Sequence, residues 1–253
     1  MAKSLSVAVL TPWDIRCGIS IYTERLVEAL RRRGHRVRVL AETAPDSNRR
    51  FEATERDVLR CWSRNQTFGG AIEEIAAMRP DIVFFSHEWS YASDWQHFTH
   101  LVSGSHRYGA RVVLGLHSVL TTGHPIQSMH SIDGLVVYSL RAQAFLLERN
   151  WPPDRVFYIP HGCPEPVMSL PGDVRSGRLA MSGFMFEAKG YNTALDALQV
   201  ARHHVSATLD IYGATNETTR QHSEDCLRRL AADVRTRSLS DVVSIWSGFP
   251  AES

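Results

Sequence analysis

Short apolar runs alternate with amphipathic stretches along almost the whole chain, and this alternation limits the fold more than any other feature. Leu5–Leu10, Val37–Ala41, Asp81–Phe85, Arg111–Leu116, Leu135–Tyr138 and Val156–Ile159 read as strands. Between them lie helical patterns, including one from Ser20 whose inner face carries Tyr22, Leu26, Ala29 and Leu30. Ser20 is the expected N-cap, and Arg31, Arg32, Arg33 and Gly34 form the expected C-terminal end. Strand–helix alternation of this kind predicts an α/β layered fold with parallel sheets and right-handed crossovers. Ile72–Met78, Trp95–His106 and Arg141–Arg149 continue the helical series, and Asp46–Arg56 reads as a polar loop.

The segment from His161 to Arg178 interrupts the pattern with Gly162, Pro164, Pro166, Pro171, Gly172 and Gly177. It reads as a linker. Alternation then restarts with strand Leu179–Ser182, helix Tyr191–Arg202, strand Thr208–Tyr212, a helix around Ser223–Arg235 and strand Val242–Trp246. The expected organisation is a first domain over 1–162, a linker over 163–178 and a partial second domain over 179–253.

Bulk properties exclude several classes. With 28 Lys+Arg against 27 Asp+Glu, the chain lacks the basic excess of a dedicated nucleic-acid binder. Its apolar runs are too short to span a bilayer, which leaves peripheral membrane contact open. Met1–Leu10 lacks the long apolar core of a signal peptide and reads as the first strand. Cys17, Cys61, Cys163 and Cys226 form no C-x-x-C pair, so reduced thiols in the cytoplasm are expected. No H-E-x-x-H or comparable metal motif occurs, and no metal or cofactor is expected. The G-x-G-x-x-G fingerprint of dinucleotide enzymes is missing too.

Three stretches lie where apolar runs stop: Arg16-Cys17-Gly18-Ile19-Ser20-Ile21-Tyr22, Leu116-His117-Ser118-Val119-Leu120, and Gly183-Phe184-Met185-Phe186-Glu187-Ala188-Lys189-Gly190. Loops at the carboxyl ends of parallel strands are where open α/β sheets bind ligands. Gly18 suits close approach of backbone N–H groups to a diphosphate, or a simple turn. His117 suits a sugar hydroxyl, or a structural role. Lys189, just before a helix, suits a leaving diphosphate, or plain solvent exposure. His87-Glu88 suits an acceptor hydroxyl, or a solvated charge pair.

In this order the stretches resemble the family-4-type retaining glycosyltransferases. Cys17-Gly18-Ile19 and His87-Glu88 resemble a mannosyltransferase-like sub-group with Cys-Gly-Ile in the first loop. The resemblance implies a GT-B fold of two Rossmann-like domains. It implies hexosyl transfer, with retention, from a nucleotide-diphosphate sugar to the hydroxyl of a saccharide or other acceptor. His117 and Lys189 take the catalytic roles, Gly18, Lys189, Gly213, Ser247, Gly248 and Phe249 face the donor, and His87 and Glu88 face the acceptor. Tyr158-Ile159-Pro160-His161-Gly162 resembles the family's interdomain crossing.

Two departures matter. Phe184 stands where many members have arginine. The Glu-x7-Glu region and final crossing helix of the family pattern have no counterpart before Ser253. The expectation is therefore a family member without its C-terminal third, and impaired transfer. A non-catalytic binding protein derived from such a transferase is the alternative.

Overall fold

A computed structural model describes residues 3–15, 17–43, 57–64, 66–88, 91, 95–119, 131–162, 177–215 and 220–247. The polar loop expected over Asp46–Arg56 and most of the expected linker lie outside these residues. The chain forms two compact units, Met1–Pro164 and Glu165–Ser253, and each is described by itself.

The first unit holds a parallel sheet of strands β1 (Ser6–Thr11), β2 (Arg36–Glu42), β3 (Val58–Trp62), β4 (Ile82–His87), β5 (Arg111–Leu116), β6 (Gly134–Val137) and β7 (Val156–Tyr158). Its order is β3-β2-β1-β4-β5-β6-β7, and every pairing is parallel. Strand order reverses between β1 and β4, so this is the switch point where a doubly wound sheet opens a crevice. The helices are α1 (Gly18–Arg32), α2 (Gly69–Met78), α3 (Trp95–Arg107) and α4 (Leu140–Leu147).

Period-two alternation sends neighbouring side chains to opposite faces. On one face Ala8, Leu10, Val83, Phe85, Val112, Leu114, Leu135 and Val137 pack with Phe98, Leu101 and Leu146 of α3 and α4. On the other, Val7, Val9, Val37, Val39, Phe84 and Val136 pack with Val27, Leu26 and Leu30 of α1. Both faces are covered, as an all-parallel sheet requires.

Two local expectations are corrected. Cys17, not Ser20, caps α1: the Ser20 N–H donates to Cys17 Sγ at 3.3 Å. Ser20 lies inside the first turn, where its hydroxyl donates to the Glu24 carboxylate at 3.0 Å and accepts from Ile15 N–H at 3.3 Å. Strand β3 was not expected. It is short and only Trp62 is buried, so its apolar signal is weak. Its Arg60 reaches the main-chain oxygens of Trp13 and Glu42, tying the loop after β1 to the sheet.

The second unit contains β8 (Arg178–Phe184), α5 (Tyr191–Ala201), β9 (Thr208–Ala214), α6 (Arg220–Thr236) and β10 (Val243–Ser247). Its described strands form a parallel sheet in the order β10-β9-β8. Leu209, Ile211 and Val243 face Leu195 and Leu198 of α5 and Cys226, Leu230 and Val234 of α6. The opposite face carries Asp210, whose carboxylate accepts from Arg178 Nε at 2.7 Å and Trp246 Nε1 at 3.2 Å. Among the described residues, no helix is long and apolar enough to cross a membrane.

Candidate functional site

The carboxyl ends of β1, β4, β5 and β6 bring an aromatic and hydroxyl cluster around His117. The His117 ring stacks on Tyr138 at 4.7 Å between centroids, and Tyr138 stacks on His161 at 4.1 Å. Tyr22 of α1 sets its edge against all three rings, at 5.0–5.2 Å. Such edge-to-face contacts suit the ring quadrupoles and hold the imidazole plane.

Behind the rings runs a buried chain of hydroxyls. Thr11 Oγ1 lies 3.0 Å from Thr23 Oγ1, which lies 3.0 Å from Ser86 Oγ, which lies 2.8 Å from His117 Nε2. Thr11, Thr23 and Ser86 are fully buried. Thr23 also donates to the Ile19 carbonyl at 2.8 Å, one turn back on its helix. Its single proton cannot serve both Ile19 and Ser86. The shorter bond favours Ile19, so Ser86 donates to Thr23 and accepts the Nε2–H of His117. That tautomer leaves Nδ1 as a lone-pair acceptor. Burial, and then the neighbouring His161, push the His117 pKa down to about 4. The imidazole is therefore neutral at physiological pH and acts as a hydrogen-bonding group.

These rings border a pocket of about 440 Å³. It is lined by Leu116, His117, Val119, Tyr138, Ser139, Arg141, Ala142, Phe145 and His161. Ser139 caps α4, its hydroxyl accepting the Ala142 N–H at 3.1 Å. Gly115 opens space beneath the cluster: a Cβ there would stand 2.5 Å from the Tyr138 hydroxyl and 2.7 Å from Phe84 Cζ.

The expected acceptor pair separates. His87 is the last residue of β4 and is 2% exposed. Its ring packs on Phe85 and Phe98, and its carbonyl accepts the His117 N–H at 3.2 Å. It thus belongs to the apolar face of the sheet, because alternation sends residue 87 opposite to Ser86. Glu88 stays at the strand end, with both carboxylate oxygens within 2.9 Å of the Ser118 hydroxyl.

Gly18 is the first residue of α1. A Cβ on it would meet nothing within 4 Å, so no described contact inside the protein demands glycine there. Cys17 beside it is a capping thiol whose pKa burial pushes up, which makes it a poor nucleophile.

In the second unit, Lys189 ends a 3-10 turn (Glu187–Lys189), followed by left-handed Gly190 and the N-terminus of α5. Its exposed side chain runs over Gly183 at the end of β8, where a Cβ would stand 3.4 Å from Lys189 Cε. Gly213 has an internal reason to be glycine, since a Cβ there would overlap the Met185 thioether. Ser247 ends β10, paired with Gly213. Gly248 and Phe249 lie outside the described residues. Among the described residues, no three His, Cys, Asp or Glu side chains are placed to hold a metal ion.

Ser86, Thr23, Tyr138 and Arg141 were not singled out from sequence. The signal that could have found Tyr138 and Ser139 was present: a tyrosine ending a strand, then a serine at an N-cap position.

No curated protein matches the chain by sequence. Solved structures match at low identity over nearly all of it. A glycosyltransferase from Rickettsia africae superposes with a TM-score of 0.73 at 14% identity, over 98% of this chain and 69% of that one. Anabaena HepE, in complex with UDP and glucose, gives 0.68 at 13% identity, over 97% and 70%. Sucrose-phosphate synthase from Thermosynechococcus elongatus gives 0.68 at 16% identity, over 97% and 71%. These likenesses establish the fold as GT-B-like, with a small second unit. Residues 17–165, from the cap of α1 past the pocket, match the family described as Glycosyltransferase Family 4. With that match spanning most of the chain and the fold agreeing, the chain belongs to Glycosyltransferase Family 4.

Proposed function

We propose that this chain transfers a hexosyl group, with retention, from a nucleotide-diphosphate sugar to an acceptor hydroxyl. The observation that carries the reading is His117, kept neutral by burial and by the neighbouring His161, oriented at the carboxyl end of β5 by Ser86 and the aromatic rings, and bordering a pocket large enough for a sugar. Anabaena HepE in complex with UDP and glucose supports the donor class.

In this reading the bond from the anomeric carbon to the phosphate oxygen breaks. The bond to the acceptor oxygen forms on the same face, and the acceptor's proton leaves with the diphosphate. His117 Nδ1 accepts from a sugar hydroxyl. Lys189 and the N-terminus of α5 meet the departing charge. Gly18 lets the backbone at the start of α1 close on the donor. The Glu88–Ser118 pair orients the acceptor hydroxyl. The charge stabilisation is assigned to these groups rather than to a metal or cofactor. Mannosyl as the sugar and the cytoplasm as the site of action are extensions of the sub-group resemblance.

The test measures nucleotide release and sugar transfer over a panel of nucleotide sugars, with the product anomer read by NMR. Lys189→Ala should slow transfer by roughly 10- to 1000-fold, the scale of losing one charge-stabilising group. His117→Ala should lower transfer while leaving the fold intact by circular dichroism. Nucleotide-sugar binding without turnover would overturn the reading in favour of a binding protein. Turnover that Lys189→Ala leaves unchanged would remove Lys189 from the diphosphate, and an inverted anomer would remove retention.

A further inference from the structure

His161 lies on the chain's way out of the first unit, which ends at Pro164. Its main chain is anchored close by. Strand β7 ends at Tyr158, and the next N–H, of Ile159, donates to the Val137 carbonyl at 3.0 Å, one residue before Tyr138. Pro160 then fixes its own φ and restricts Ile159 before it. The residue is exposed, yet its ring is engaged by side chains from three other parts of the unit. It lies flat on Tyr138, at 4.1 Å between centroids and 12° between planes. It stands 5.5 Å from the His117 ring at 21°, and meets the Tyr22 ring edge-to-face at 5.0 Å.

His117 depends on such contacts. Ser86 holds it at Nε2. Nε2 lies nearer than Nδ1 to the axis of the Cβ–Cγ bond, so that hydrogen bond resists turning about the axis only weakly. Turning swings Nδ1, the atom offered to the sugar. The surrounding rings supply the resistance: Tyr138 at 4.7 Å, Tyr22 at 5.2 Å and His161. His161 acts on His117 twice, directly and through Tyr138, whose ring it covers.

We infer that His161 is a positioning residue for His117: carried in by the segment after β7, its imidazole completes the ring cage that fixes the direction of His117 Nδ1. Its effect on transfer rests on the proposed function, which it extends to the segment leaving the first unit. The role belongs to a flat ring rather than to a hydrogen bond, so phenylalanine should serve in place of histidine and alanine should not. The same ring helps to shield His117 from water and sets a second imidazole beside it, and both effects lower the His117 pKa.

The experiment compares the full chain as wild type, His161→Ala and His161→Phe. It reads the midpoint of the His117 titration by NMR of the labelled imidazole, and kcat and KM for transfer from a nucleotide sugar. In His161→Ala the His117 midpoint should rise from about 4 towards the ordinary value of about 6.5, as water reaches the ring. In His161→Phe it should stay closer to wild type. His161→Ala should lower kcat by roughly 10- to 100-fold, the scale of a misdirected group, with KM changed less, and His161→Phe should recover most of the loss. A His117 midpoint that His161→Ala leaves unmoved overturns the inference. So does transfer by His161→Phe as slow as by His161→Ala, because the imidazole nitrogens would then be what the reaction uses. If His161→Ala does not fold by circular dichroism, His161→Phe decides: transfer near wild type supports the inference, and a loss as large as that of His117→Ala overturns it. Absent turnover of every nucleotide sugar would sink the proposed function, while the His117 titration would still decide whether His161 supports that ring.

Discussion

A single hydroxyl, on Ser86, decides what His117 offers to a ligand. Without it the Nε2 proton loses its buried acceptor and Thr23 loses a donor. Leaving buried polar groups without partners costs roughly 1–3 kcal/mol. Ser86→Ala should therefore lower the unfolding free energy by about that amount in denaturant titrations. Its distinctive signature is tautomeric. In wild type the ring nitrogens should show one dominant form, with the proton on Nε2, by 15N NMR. In Ser86→Ala the two tautomers should become mixed, because the bond that chose between them is gone. An unchanged 15N pattern would mean that the stacked rings alone set the tautomer. Gly18 and Lys189 stand differently at this scale. Neither is required by a described internal contact, so their residue types are free to answer to a ligand.

At the scale of elements, packing explains both what the sequence revealed and what it hid. β5, Arg111–Leu116, has the bounds expected of it, because a short buried apolar run between polar flanks is a strong signal. β3 was missed because one side of its short run is half exposed and its work is done by Arg60, a residue type with no strand signature. The burial of His87 was hidden because the strand runs two residues further than its apolar run, which ends at Phe85. That extension sends His87 into the apolar face and Ser86 towards Thr23. The site was legible where it is local, as at His117, and hidden where distant strands meet, since the Thr23–Ser86 bond spans 63 positions. Gly115 shows the same limit. It reads as an unremarkable glycine in a strand, yet its missing Cβ is the space that Tyr138 and Phe84 fill. Gly115→Ala should overpack that point and cost about 1–3 kcal/mol, seen as a lower melting temperature. It should also displace the Tyr138 ring, weakening sugar binding in the pocket. A Gly115→Ala protein with wild-type stability would show that the rings have room to move aside.

For the whole molecule, net charge is close to zero, at +1 with histidines neutral, so its pH response comes from particular buried groups rather than from global repulsion. His117 is the principal one. Its pKa is about 4 in the folded chain against about 6.5 when unfolded. Between those values the unfolded chain binds a proton that the folded chain refuses, so stability rises with pH across that window. Above about pH 6.5 the contribution is fully present. As pH falls towards 4 it is lost, and below 4 no more is lost from this group. A depression of that size corresponds to at most roughly 3 kcal/mol. His161 acts in the same direction, since burial lowers its pKa as well. The carboxylates act lower. Asp133 is held below its ordinary value by the Val112 N–H and His106, and Asp210 by Arg178 and Trp246. Their stabilisation is lost only as pH falls below the usual carboxylate range, which separates the two effects on the pH axis. Urea unfolding of the full chain from pH 8 to pH 4 should therefore show a plateau above about 6.5 and a decline below it. In His117→Gln, which keeps a polar side chain but cannot titrate, the decline between 6.5 and 4 should shrink markedly, leaving the smaller part due to His161. A His117→Gln profile parallel to wild type would mean that His117 is protonated as readily in the folded chain as in the unfolded one, and the neutral imidazole at the pocket would have to be abandoned.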